Sequence, residues 1–108
     1  MKYRISNQCF KAINTFYHHV AKKYKHTYSK ELMHQNIDDA IDSMYQIERT
    51  LLRRQPTINK WLGYYMANTD KWYFAYVIED DTIIIVDACH AQNMHEDIET
   101  KADICSSK

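Results

Sequence analysis

Two short apolar runs, Trp72-Tyr-Phe-Ala-Tyr-Val-Ile78 and Ile83-Ile-Ile-Val86, flank the acidic stretch Glu79-Asp-Asp-Thr82 and lead directly into Asp87-Ala-Cys-His-Ala-Gln-Asn93. β-Branched and aromatic runs of this length, joined by a polar four-residue turn, predict a β-hairpin. The His, Gln and Asn at the exit of its second strand sit where side chains can meet a ligand. The rest of the chain has to be built around that hairpin. With 108 residues, 45% of them hydrophobic and 13% aromatic, the sequence supports one core and one domain, residues 1–108, with a polar tail from about residue 95.

Towards the N-terminus the period changes. Tyr3 and Ile5 alternate as in a short strand, and Ser6 or Asn7 can cap a helix. Phe10, Ile13, Tyr17, Val20 and Tyr24 then recur at spacings of three and four, which predicts a helix over 8–24. Ser29 can cap a second helix, with Glu31 at the positive end of its dipole. Its stripe of Met33, Ile37, Ala40/Ile41, Met44, Ile47 and Leu51 extends to Arg53 and Arg54, where Pro56 stops it. Three strands follow, over 61–67, 72–78 and 83–88, and Gly63 inside the first suggests a bulge or a close backbone approach. The expected class is α+β: an N-terminal strand, an α-helical hairpin and a three-stranded antiparallel meander, with the helices on one face of a twisted antiparallel sheet.

The zero net charge conceals an asymmetry. Residues 1–60 hold 11 Lys/Arg against 5 Asp/Glu, whereas residues 61–108 hold 3 against 9. A basic half can be a polyanion-binding face, or Lys22, Lys23, Lys25, Arg53 and Arg54 can simply solvate helices. Three widely spaced cysteines, Cys9, Cys89 and Cys105, fit neither a disulfide framework nor a zinc knuckle, so reduced thiols are expected. No apolar run approaches the roughly 20 residues that cross a bilayer, and the N-terminus lacks the apolar core of a secretory signal. A cytoplasmic protein without membrane contact is expected. His90, His95 and Glu96 are poorly spaced for zinc, and His18-His19 and His34 point different ways on their helices. Cys89 and His90, adjacent on a strand, face opposite sides and cannot act as a thiol–imidazole pair. With one glycine there is no phosphate-binding glycine loop. No metal or cofactor is expected.

In its order of elements the chain resembles the RelE/ParE superfamily, the toxins of bacterial type II toxin-antitoxin modules. The residues that carry the resemblance are Lys2-Tyr-Arg-Ile5, Arg53-Arg-Gln-Pro56, Trp72-Tyr-Phe-Ala-Tyr76, Ile78-Glu-Asp-Asp-Thr-Ile83 and Ala88-Cys-His90, the last similar to the family's strand ending in a histidine. The resemblance implies a toxin of the plasmid-stabilisation type, bound by a cognate antitoxin protein. RelE-like members cut messenger RNA in the ribosomal A site without a metal. ParE-like members bind and poison DNA gyrase. The family's arginine on the penultimate strand has Tyr73 in its slot here, and the arginine near the last-strand histidine is also missing, so the usual phosphate clamp is absent.

On that pattern His90 is the first candidate for catalysis, because imidazole exchanges protons near neutral pH. A histidine satisfied at a sheet edge is the alternative. Tyr73 can donate to a phosphate or stack on a base, with Tyr64 expected on the neighbouring strand, although strand tyrosines commonly belong to a core. Lys60 and Lys71 can supply positive charge to a scissile phosphate, or lie solvated in loops. Gln92, Asn93 and His95 are the candidate substrate contacts beyond the strand. Tyr17, Tyr24, Tyr28, Tyr45 and Trp61 are candidates for the surface that holds the antitoxin, with core packing as the competing use.

Overall fold

Ser6 joins the first strand to the first helix and ties both to the far end of the chain. The structure, a computed structural model, describes residues 1–94. The Ser6 hydroxyl oxygen accepts the Cys9 backbone N–H at 3.1 Å, capping α1 (Asn7–Lys23), and its O–H donates to the Val86 carbonyl at 2.9 Å. Ser29 caps α2 (Lys30–Met44) in the same way, accepting from the Leu32 N–H at 3.0 Å. Glu31 in the first turn of α2 and Lys22 and Lys23 in the last turn of α1 complement the two helix dipoles.

Four strands follow the order β1-β4-β3-β2 across one sheet: β1 (Lys2–Ile5), β2 (Tyr65–Thr69), β3 (Trp72–Glu79) and β4 (Thr82–His90). The α+β expectation holds. The sheet is mixed, however: β2, β3 and β4 form an antiparallel meander, whereas β1 lies parallel to β4, from Lys2 opposite Thr82 to Ile5 opposite Ile85. A parallel neighbour needs a long crossover, and the two helices and two meander strands between β1 and β4 supply it. The β3–β4 turn is shorter than the four residues expected. Asp80 and Asp81 alone form it, with φ of 49° and 62°, the left-handed pair that matches the twist of a two-residue hairpin.

The largest departure from the expected elements lies between Met44 and Tyr65. Instead of continuing to Arg53, α2 ends at Met44 and a 3-10 turn, Ile47–Arg49, follows. The cause is tertiary. Tyr3 on β1 donates its hydroxyl to the Tyr45 carbonyl at 3.2 Å and accepts the Glu48 N–H at 3.2 Å, so the chain turns there and Ile47 enters the core while Leu51 is left 79% exposed. Arg53, at φ 62°, then donates its N–H to the Tyr76 hydroxyl at 2.9 Å. Residues 61–64 are not strand. Trp61 closes a second 3-10 turn, Asn59–Trp61, and Gly63, at φ 96°, belongs to the approach to β2.

Both faces of the sheet are covered. The helices lie on one face, where Cys9, Ile13, Tyr17, Met33 and Met44 bury Trp72, Phe74, Tyr76, Ile83 and Ile85. Ile58 and Trp61 cover the other, closing on Met66, Ala75 and Cys89. Cys9 and Cys89 are thus separated by the sheet, and burial pushes the Cys9 thiol up to about 12, leaving it a core group whose Sγ lies 3.8 Å from the Met44 sulfur. No helix among the described residues is long and apolar enough to cross a membrane.

Candidate functional site

The site begins with an irregularity in β4. Tyr76 pairs with Ile85 but Ala75 pairs with Asp87, so Val86 is an extra residue, a β-bulge. Simple alternation from Ile83 and Ile85 would aim Asp87 and Cys89 at the helices. The bulge reverses the parity, so Ala88 and His90 face α1, while Asp87 turns to the other side and accepts the Trp61 indole N–H at 2.9 Å. β1 reaches only as far as Ile85, which leaves the 87–90 segment of β4 with a strand neighbour on one side alone.

Above this open edge lies α1. Its Cys9, Ile13, Tyr17 row is buried, a flanking row of Ala12, Phe16 and Val20 is half-buried, and beyond it Lys11, Thr15, His19 and Lys23 stand exposed at intervals of four. Between these rows and the end of β4 opens a cleft of about 680 Å³. Phe16, Trp72 and His90 form its floor; Lys11, His19, Lys23, Lys60, Gln92 and Asn93 are on its rim. Among the described residues that line it there is no Asp or Glu.

His90 sits in an aromatic box. Its ring stacks on Phe16, centroids 4.1 Å apart and planes within 10°, and meets Trp72 edge-on at 5.3 Å. Trp72 is held in turn by its indole N–H, which donates to the Tyr17 hydroxyl at 3.1 Å. Burial, and secondarily the charge of Lys71, hold the imidazole below its ordinary pKa. The ring is therefore neutral at pH 7. Nδ1 lies 3.2 Å from the Gln92 backbone N–H and accepts it, which assigns the ring proton to Nε2 and makes that nitrogen a donor.

Of the residues singled out from sequence, His90, Lys60, Gln92 and Asn93 meet in this cleft. Tyr73 does not: it pairs with Cys89, faces away from the helices and packs against the cluster that contains Trp61, Met66 and Cys89. His90 lies opposite Trp72, and Tyr73, next to Trp72 on its strand, points to the other face, so the expected grouping of Tyr73 with His90 fails. Tyr64 precedes β2 rather than lying on it, at the end of the sheet where Tyr65 pairs with Tyr76, about 15 Å along the strands from Trp72 and His90. Lys71 acts on His90 through its charge, but its side chain lines a separate hollow of about 60 Å³ beside Asp39 and Asp70. His95 lies outside the described residues, as do Glu96 and Cys105. Among the described residues no cluster of three or more His, Cys, Asp or Glu is arranged to hold a metal ion.

The proposed partner aromatics divide. Tyr17 and Trp61 are core, 7% and 1% exposed, and the Tyr28 hydroxyl takes a hydrogen bond from Asn36 at 2.6 Å, whereas Tyr24 and Tyr45 are about half exposed. Of the five basic residues weighed as helix solvation, only Lys23 lines the cleft. Sequence reading missed Lys11, Thr15, Phe16 and His19. The signal for Lys11, Thr15 and His19 was present in the four-residue spacing of 11, 15, 19 and 23, one polar stripe beside the apolar one, whereas Phe16 lies in the flanking row of Ala12 and Val20. No protein-family model, no curated protein and no solved structure matches this chain.

Proposed function

We propose that this chain is a RelE/ParE-like toxin, held by a cognate antitoxin, that cuts messenger RNA on the ribosome without a metal. One observation carries the reading: a neutral histidine on the floor of a cleft rimmed by lysines, with no carboxylate among the described lining residues. Such a rim attracts a phosphodiester. The order of elements, one strand, a helical hairpin and a meander ending in His90, supports the finer RelE/ParE-like fold reading.

In this reading the ribose 2′-hydroxyl attacks the adjacent phosphorus, a cyclic phosphate forms and the bond to the 5′-oxygen breaks. The His90 Nε2–H donates a hydrogen bond to the phosphorane-like state, and Lys11 and Lys60 offset its charge. The 2′-hydroxyl gives up its proton during the attack to a water or a group brought by the ribosome, and a proton from the same source goes to the departing 5′-oxygen as its bond to phosphorus breaks. The zero formal net charge favours a second reading, a non-catalytic ParE-like inhibitor of DNA gyrase, because a ribosome-acting protein is expected to be strongly basic.

Pulse labelling of protein and DNA synthesis in the minutes after induction in a bacterial host separates the two. Messenger RNA cleavage requires protein synthesis to fall first and His90→Phe, which keeps the stack on Phe16 and removes the Nε2 donor, to abolish the effect. DNA synthesis falling first would replace this reading with the gyrase one. If neither changes, the toxin reading is wrong.

A further inference from the structure

We infer that the α1 wall of the cleft is a binding track for single-stranded RNA, with Lys11 and Lys23 contacting backbone phosphates and Tyr24 stacking a base. The inference rests on the proposed reading only in its choice of RNA over other polyanions. Lys11 and Lys23 stand twelve residues apart on one helix, about 18 Å, the length of a few nucleotides of an extended strand. Neither has a carboxylate within ion-pair distance among the described residues, so nothing there competes with a phosphate for them.

Between them Thr15 and His19 continue the same exposed row. Charge alone would suit any polyanion, but the cleft adds a stacking surface. Tyr24, 50% exposed, ends the track, and the Lys23 ammonium lies 5.5 Å from the centre of its ring. A cation beside an exposed ring is the pairing that holds a phosphate and its neighbouring base together on a flexible strand. A duplex buries its base faces and cannot use Tyr24. Gln8, Gln92 and Asn93 on the rim provide donors and acceptors for a ribose 2′-hydroxyl, which DNA lacks.

The test is fluorescence anisotropy of a labelled ten-nucleotide oligouridine with the purified chain, titrated across potassium chloride concentrations. A single strand yields about 0.7 of log-log salt slope per phosphate neutralised, so Lys11→Gln with Lys23→Gln is expected to make the slope shallower by about 1.4. Lys22→Gln with Lys25→Gln, exposed lysines that do not line the cleft, is the control and should leave it unchanged. Tyr24→Leu should weaken binding about tenfold with the slope intact. Equal loss in both lysine pairs, or equal affinity for oligothymidine or an RNA hairpin, would overturn the track. Oligouridine binding that depends on Lys11 and Lys23 in a chain without effect in pulse labelling would keep the track and reject the toxin. A labelling effect together with a slope indifferent to Lys11 and Lys23 would do the reverse.

Discussion

The two faces of the sheet are built from the same strands and serve different ends. On the helix face Trp72, Phe74, Tyr76 and Ile85 bury themselves against α1 and α2, and where α1 overhangs the open edge of β4 the same face carries the cleft. On the other face Ile58 and Trp61, from a segment with little regular structure, seal Met66, Ala75 and Cys89. One face thus combines core and candidate site, while the other gives the sheet a second small core. The difference arises because a rigid helix can stand off an unpaired strand edge and leave a gap, whereas an irregular segment follows the surface it covers. The bulge at Val86 decides which residues belong to which face.

The strongest way to break this comparison is Trp61→Ala. Trp61 is 1% exposed, and its indole N–H occupies the Asp87 carboxylate. Truncation should cost about 3–5 kcal/mol by urea unfolding, because it opens a cavity and takes from the Asp87 Oδ2 its indole donor. A loss below about 1 kcal/mol would mean that the second face is decoration and not core. A smaller effect is expected on the helix face from Tyr17→Phe, which leaves the Trp72 indole, 2% exposed, without its acceptor. The cost should be about 1–3 kcal/mol, read from the same unfolding curves. If Tyr17→Phe cost nothing, the aromatic box around His90 would not be held by that hydrogen bond.

Much of this was legible in the sequence, but unevenly. The periods of three and four in residues 10–24 gave α1 to within a residue, because one buried face repeated without interruption, and the continuous apolar runs from 72 and 83 gave β3 and β4, though not the bulge at Val86. The end of α2 was not legible. Ile47 and Leu51 continue its stripe, and only the Tyr3 hydroxyl, more than 40 residues away in sequence, turns the chain aside. Trp61 read as the start of a strand and Ile58 was not singled out, because burial under a loop leaves no period. In the candidate site, His90 with Gln92 and Asn93 could be found from their place at a strand end. Tyr73 was grouped with His90 although His90 lies opposite its neighbour Trp72, which faces the other way, and an exposed helical stripe looks alike whether it meets solvent or a cleft, so Lys11 was passed over and Lys23 was left between helix solvation and a polyanion-binding face.

The smallest expected effect tests how far the site borrows from the core beneath it. His90 has a pKa below the ordinary value of 6.5, chiefly through burial, with Lys71 adding to it. The unfolded chain therefore takes up the proton at a higher pH than the folded one. Well above pH 6.5 both states are neutral at this residue and it has no effect on the pH dependence; as pH falls through 6.5 the unfolded state is favoured, and stability declines until the folded imidazole also protonates. Protonation in the fold would put a proton on Nδ1 and displace the Gln92 N–H that it accepts. Urea midpoints of the intact chain between pH 5 and 8 should drop on the acid side, and His90→Phe, which keeps the ring stack without the titration, should flatten that drop. The other histidines common to both proteins cancel in the difference. If the two profiles run parallel, His90 is as solvated as a surface histidine, and the helix face carries its site beside the core and not as part of it.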